Sequence, residues 1–278
     1  MKDFTQRTAV ITGAASGIGL ALARAAAARG MQLVLADLDG ERLRQAADGL
    51  AIDAARVALH TLDVSRDDAV AALADAAFAR FGGVHLLCNN AGVGHSRTLL
   101  EHSAEDWAWV LGVNLMSVVH GVRHFLPRMQ QQAEGGHIVN TASAAGLLCN
   151  PGMAAYNVSK HGVVALSETL YHELAAQRSR VDVSVLCPSW VPTGIHRSAR
   201  HRPAQFGTEA PPSAASAAYA REIGRAVMAG KLGADDVAAA AFDGIAERRL
   251  YIVPHRAVLD AVVRHAQQMA AGVNPPQL

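Results

Sequence analysis

The sequence predicts an α/β fold, a doubly wound, Rossmann-type parallel sheet of about seven strands with helices on both faces. Three observations predict it. Short apolar runs alternate with helical stretches along the chain, the pattern of strands buried beneath crossover helices. A glycine-rich turn, Gly13 to Gly19, follows the first run and opens a helix, as at nucleotide-binding strand ends. Crossovers of this kind are almost always right-handed, which leaves the doubly wound sheet as the default topology. With 278 residues, 51% of them hydrophobic, the chain can bury one sizeable core and is short for two. No linker or repeat divides it, so residues 1–278 read as a single domain.

The elements follow in order. Thr8 to Thr12 is a strand-length apolar run, and after the glycine turn comes an alanine-rich helix that ends at Gly30, alanine being the best helix former and glycine a common terminator. Gln32 to Asp37 is a second buried-type strand, followed by a helix from about Glu41 to Leu50 and a strand from Val57 to Leu62. A helix over Asp67 to Phe81 precedes a strand over Val84 to Asn89. Ser103-Ala-Glu-Asp106 reads as a capping box opening a long helix. Strand His137 to Thr141, the helix holding Tyr156 and strand Val181 to Cys187 complete the regular rhythm. Between Pro192 and Gly233 the composition turns to Ala, Ser, Pro, His and Arg. Stretches this long without strand rhythm are commonly functional lids, so about 193–233 reads as a mobile substrate lid, helical near Ala214 to Ala229. A helix from Asp235 to Arg248, a short strand Tyr251 to Val253 and a helix from Ala257 close the chain.

Composition narrows the partners. The net charge of +1 gives no reason to expect nucleic acid or a membrane surface, and no apolar run approaches the roughly 20 residues of a membrane helix. Met1 to Arg7 carries no signal-like apolar region. The three cysteines, Cys88, Cys149 and Cys187, lack metal spacing and read as reduced thiols of a cytoplasmic protein.

The chemistry-bearing residues lie at strand ends. Glycines at 13, 17 and 19 let the backbone approach a pyrophosphate at a helix N-terminus, where free N–H groups and the helix dipole favour anions; a plain tight turn is the alternative. Asp37 ends the second strand, eighteen residues past Gly19, where a carboxylate accepts the hydroxyls of an adenosine ribose. A 2′-phosphate there meets repulsion on the order of 4 kcal/mol per unit charge at ~4 Å. Asp39 adds to it and no Arg or Lys occupies 36–40, so NAD is favoured over NADP. Tyr156 and Lys160, four apart, share one helix face. A fixed positive charge near a phenol of ordinary pKa about 10 brings it toward the working range of a general base. Ser143 precedes the Tyr by thirteen residues, across a loop able to bring its hydroxyl alongside.

In order along the chain stand Thr12-Gly13-Ala-Ala-Ser16-Gly17-Ile18-Gly19, Asp63-Val64, Asn89-Asn90-Ala91-Gly92, Asn114 in Val-Asn-Leu, Ser143, Tyr156-Asn-Val-Ser-Lys160 and Pro188-Ser-Trp-Val-Pro-Thr193. With these motifs the chain resembles the short-chain dehydrogenase/reductase family, in its compact single-domain branch, over roughly residues 5–255. The resemblance implies that Tyr156 exchanges a proton with the substrate oxygen, that Lys160 holds the nicotinamide ribose and lowers the Tyr156 pKa, and that Ser143 bonds the reacting oxygen. It implies that Asn114 kinks its helix and positions a relay water, and that Asp63 and Val64 contact the adenine. Asn90, with Ala91 and Gly92, is implied beneath the ribose, and Pro188, Val191 and Thr193 at the carboxamide and pyrophosphate end. A homotetramer, or homodimer, is implied as well. Ser189 departs from the glycine usual after Pro188, which puts its local backbone contacts in question.

Ala145, Leu147, Leu148, Met153 and Trp190 flank the catalytic residues in sequence and are expected as an apolar pocket wall. Trp107 and Trp109 are expected to pack in helices or an oligomer contact. No metal site is expected: His120 and His124 have ligand spacing but no acid or third His close in sequence. The run His196 to Arg202 is the densest basic stretch and reads either as a solvated loop or as a contact for an acidic substrate group. The function expected is NAD-dependent interconversion of a small-molecule secondary alcohol and its ketone. Alternatives are reduction of an acyl-carrier thioester ketone and a non-catalytic nucleotide-sensing module.

Overall fold

In the computed structural model, which describes every residue except 2, 208 and 276–278, the strands form one parallel sheet in the order β3-β2-β1-β4-β5-β6-β7. The strands are β1 (Thr8–Thr12), β2 (Gln32–Asp37), β3 (Val57–Thr61), β4 (Leu86–Asn89), β5 (Gly136–Thr141), β6 (Val181–Leu186) and β7 (Tyr251–Ile252). The helices are α1 (Gly17–Ala28), α2 (Gly40–Asp48), α3 (Asp67–Phe81), α4 (Ala104–Leu111), α5 (Ser117–Gln131), α6 (Ala154–Ala176), α7 (Ala214–Met228), α8 (Ala234–Ala246) and α9 (Arg256–Ala270). Most expected elements are present with ends moved by one or two residues. The expected helix after Ser103 is interrupted: residues Gly112–Met116 between α4 and α5 form a π-helical turn. Among the described residues no helix is long and apolar enough to cross a membrane.

Alternation along the strands sorts the core into two layers, because successive side chains leave a strand on opposite faces. Ala9, Ile11, Leu33, Leu35, Leu86 and Cys88 pack with Leu22 of α1 and Phe242 and Ile245 of α8. Val10, Val34, Leu87 and Ile138 face the other way, onto Leu73, Phe125, Met129 and Leu170 of α3, α5 and α6. Two covered faces explain why the strands read as unbroken apolar runs. Val163, Val164, Leu170 and Leu174 of α6 are all buried within the single chain. Val158 and Tyr171 are exposed large apolar positions of that helix.

The strand order reverses between β1 and β4, and Asn90 bridges that point. Its side-chain amide donates to the Thr12 carbonyl at 3.0 Å, while the amides of Asn90 and Ala91 donate to Thr12 Oγ1 at 3.0 and 3.1 Å. A Cβ at Gly13, which holds φ +67°, would stand 2.8 Å from Ala91 Cα, so only glycine fits both the dihedral and the contact.

His137 of β5 is fully buried, with Nε2 2.7 Å from Ser184 Oγ. Burial pushes its pKa from the ordinary 6.5 down to about 3. The unfolded chain therefore takes up a proton below about pH 6.5 that the folded chain refuses until about 3, and stability falls as pH falls through that window by ~1.4 kcal/mol per pH unit. Urea unfolding of the wild type and His137→Leu at about pH 6.5 and 5 should show the wild type losing about 2 kcal/mol more than the variant. Equal losses would refute the assignment.

Candidate active site

The C-terminal ends of the strands open into a cavity of about 800 Å³. At its nucleotide side, Ser16 heads α1 in extended conformation without capping the helix amides through its side chain. Ser16, Gly17, Ile18 and Gly19 line the cavity with Gly13, so free N–H groups at a positive dipole end meet that space. Asp37 is held at the end of β2 by the amides of Ala15 (2.9 Å) and Asp39 (3.1 Å). Asp63, whose carboxylate accepts from the Ser65 amide and hydroxyl, lines the same side with Val64, Asn90, Ala91 and Gly92. Pro188, Val191 and Thr193 approach from the opposite wall; Thr193 Cγ2 would be 3.3 Å from a Cβ at Gly17. The cradle suits a dinucleotide: glycines and free amides for its phosphates, a fixed carboxylate for a ribose. Ser189, the departure noted in the sequence, also lines the cavity and donates its amide to His255 Nδ1 at 3.2 Å.

The catalytic candidates converge from β5, its loop and α6. Ser143 Oγ accepts from the Ala145 amide at 3.1 Å and donates to the Pro188 carbonyl at 3.3 Å. Tyr156 is buried, hydrogen-bonded to Ser143, and packed with Ala145, Met153, Trp190, Ile195 and Ile223. Lys160 Nζ donates to the Thr141 carbonyl at 2.9 Å and lies 5.6 Å from the centre of the Tyr156 ring. Burial raises the Tyr156 pKa, the Ser143 bond offsetting part of the rise, and lowers that of Lys160 to about 8. The lowering of the phenol expected from the ammonium is not found: burial sets the direction of the shift and the Ser143 bond is what opposes it.

Asn114 sits fully buried in the π-helical turn, a bulge of the kind that often marks functional sites. Its Oδ1 accepts from the Val93 amide at 2.8 Å, and its Nδ2 donates to the Val93 carbonyl at 3.0 Å and to Ser159 Oγ at 3.1 Å. Ser159 in turn donates to the Tyr156 carbonyl at 2.7 Å. Asn114 thus stands behind the cavity wall and ties the segment after β4 to the start of α6.

The segment 193–233, in which Thr208 lies outside the described residues, folds as a 3₁₀ stretch over Ile195–His201, a turn at Ala204–Phe206 and α7. It is bound to the chain after β4 by Gly94 N to Ser198 Oγ (3.0 Å), Arg97 Nη2 to the Ala210 carbonyl (2.5 Å) and Thr98 N to Ser216 Oγ (2.9 Å). The basic run divides. Arg200 lines the cavity, whereas the Arg202 side chain is only 8% exposed, 2.6 Å from Asp106 Oδ1, and so is not freely solvated.

Several side chains fall elsewhere than expected. Leu147 packs against the cluster that holds Val118, Val163 and Val164, whereas Leu148 lines the cavity as expected. The loop after Ser143 turns through Ala144–Gly146, and that turn decides which of the two leucines faces inward. Trp109 packs in α4 with Val93, Val110 and Ala155 as expected and also lines the cavity, as do His95, Arg97, Glu209 and Ile223. No motif flagged them. His120 Nδ1 and His124 Nε2, which have no acid close in sequence, both lie 2.9 Å from Asp67 Oδ1, with Arg123 Nη1 at 3.0 Å; the acid comes from the first turn of α3. Among the described residues, His95, Asp106 and Glu209 have donor atoms close enough to share a cation, but the Arg202 guanidinium already contacts both carboxylates.

The family model for short chain dehydrogenase matches residues 7–204. The chain belongs to the short-chain dehydrogenase family. A crystal structure of a family member from Burkholderia phymatum in complex with NAD is 51% identical, with TM-score 0.97, over 100% of this chain and 99% of that one. The CLA biosynthesis dehydrogenase/reductase of Lactiplantibacillus plantarum is 34% identical over 92% of this chain and 90% of its own length. The D-beta-hydroxybutyrate dehydrogenase of Rhizobium meliloti is 37% identical over 68% and 73%.

Proposed function

We propose that this short-chain dehydrogenase interconverts a secondary alcohol and its ketone with NAD, Tyr156 acting as general acid/base. The observation that carries the reading is the convergence of Ser143, Tyr156 and Lys160 on one cavity whose other end is the glycine turn and Asp37. The Burkholderia relative, bound to NAD, supports the cofactor, and Asp37 with Asp39 supports NAD over NADP. When bound, the dinucleotide supplies the hydride acceptor or donor.

The chain's own residues handle orientation and the proton. Gly13, Ser16, Gly17, Ile18 and Gly19 would hold the phosphates, Asp37 the adenosine ribose, and Asp63 and Val64 the adenine. Asn90, Ala91, Gly92 and Lys160 would hold the second ribose, with Pro188, Val191 and Thr193 around the carboxamide. Ser143 Oγ and Tyr156 Oη aim two donors at the substrate oxygen, where charge changes during reaction. In the oxidising direction Tyr156 takes the carbinol proton; in the reducing direction it returns one. Asn114 Oδ1 and Lys160 Nζ both border Gly92, 3.4 and 3.5 Å from where its Cβ would stand; Lys160 would pass that proton onward through a water that Asn114 positions. Ala145, Met153 and Trp190, with Leu148 rather than Leu147, form the apolar wall, and residues 193–233 serve as the substrate lid.

Burial holds the phenol protonated, so oxidation requires its ionisation and kcat for oxidation is expected to rise with pH from about 7 toward 10, while kcat for reduction, which uses the protonated phenol, stays level over that range. Tyr156→Phe should cut kcat by at least about 100-fold in both directions and leave NADH binding, read by fluorescence titration, within about threefold. Turnover within a few-fold of wild type would sink the mechanism.

Asp37→Ala should improve kcat/KM with NADPH by about tenfold or more, since it removes a carboxylate from the 2′-phosphate position. A wild type that prefers NADPH would refute the NAD assignment.

We also propose assembly as a homotetramer or homodimer through the faces bearing Met116 and Val158, which are exposed in the single chain. Light scattering at micromolar concentration should give a multiple of the 29.1 kDa chain, and a monomer there would refute it.

A further inference from the structure

Among the described residues, the aspartates, glutamates, lysines and arginines lining the cavity are Asp37, Asp63, Arg97, Lys160, Arg200 and Glu209. Asp37 and Asp63 close the nucleotide side, and Arg200 lies within electrostatic reach of Asp39 and Arg42 there. Lys160 stands behind Tyr156, bonded to Thr141. Arg97 and Glu209 are left for the wall facing the substrate.

That wall has no cation to spare. Arg97 already serves Glu209 at 3.3 Å, Glu101 at 3.7 Å and the Ala210 carbonyl. Arg202 behind it serves Asp106 at 2.6 Å and Glu209 at 3.8 Å. Two guanidiniums thus face three carboxylates. His95 lies 3.1 Å from Asp106 and 3.9 Å from Glu209 through Nε2, its side chain only 4% exposed. That nitrogen makes no hydrogen bond among the described residues. Burial holds the His95 pKa below its ordinary value despite the pull of Asp106 and Glu209, so the ring does not make up the missing positive charge near neutral pH. Beside this negative wall stand the apolar Trp109, Met153, Ile223 and Val227.

We propose that this wall selects alcohols and ketones that are neutral where they meet it and excludes those carrying an anionic group inside the cavity, with Glu209 as the specificity-determining residue; this rests on the alcohol/ketone reading above. A carboxylate brought beside Glu209 meets like charge where little water screens it. Neither arginine can turn to it without leaving a carboxylate unpaired. An alkyl or aryl face meets no such opposition, and a hydroxyl or amide can donate to Glu209.

The test is a series of secondary alcohols with a terminal carboxamide carried at increasing distance from the carbinol, each matched to the carboxylate of the same length. At the length where the carboxamide is turned over best, kcat/KM for the carboxylate should be lower by roughly 30-fold or more. In Glu209→Gln that ratio should shrink to within about threefold. Carboxylates used as well as carboxamides by the wild type would overturn the inference while leaving the alcohol/ketone reading intact. An unchanged ratio in a Glu209→Gln variant with a cooperative thermal melt would overturn the assignment to Glu209. Should the variant not fold, the wild-type ratio alone decides. No turnover of any neutral alcohol or ketone, with NADH still bound, would overturn the alcohol/ketone reading and this inference with it.

Discussion

The close approach of β1 and β4 at their C-terminal ends governs the site. A Cβ at Gly19 would fall 2.1 Å from the Gly13 carbonyl and 2.6 Å from Asn90 Nδ2, so no side chain is tolerated there. That absence lets α1 start directly on the strand, points its free amides into the cavity, and lets Asn90 reach across to Thr12. The strands diverge from this point to the two sides of the sheet, which opens the crevice that a parallel, doubly wound sheet offers a ligand.

On the substrate side, buried polar groups hold the geometry. Asn114 fastens Val93 through both its amide and its carbonyl and reaches Ser159, which bonds the carbonyl of Tyr156. Asn140 takes a bond from Asn89 and gives one to Ser167 of α6. These bonds set where the phenol and the ammonium stand, and a fully satisfied buried network of this kind rigidifies its site. The same burial works against ionisation. It moves the tyrosine up and the lysine down, so each member of the pair is held nearer its uncharged form than it would be in water.

The segment over the cavity is fastened by charge. Arg202 and Asp106 form a buried pair between residues far apart in the chain, with Glu209 and Arg97 extending it to the cavity surface. Such a pair adds little net stability, because desolvation offsets attraction, but removing either partner leaves the other charge stranded. Its effect is to fix the position of the segment and to consume the positive charge that a basic run would otherwise present to substrate.

How much of this was legible beforehand depends on the range of the interactions. Strand and helix order, the glycine turn, Asp37 and the Ser143-Tyr156-Lys160 set could be read in sequence, because each rests on local periodicity or on a motif at a strand end. Every cofactor-side candidate lines the cavity for that reason. The turning of Leu147 away from the cavity, the place of Trp109 on the cavity wall and the pairing of Arg202 could not be read. They depend on helix phase, on a loop's turn and on partners such as Asp67 for His120 and Asp106 for Arg202 that lie many residues away. Sequence alone determined which groups are candidates to carry the chemistry; tertiary structure decided the direction of their ionisation and the charge of the cavity wall around Glu209, because burial and long-range pairing exist only once the chain has folded.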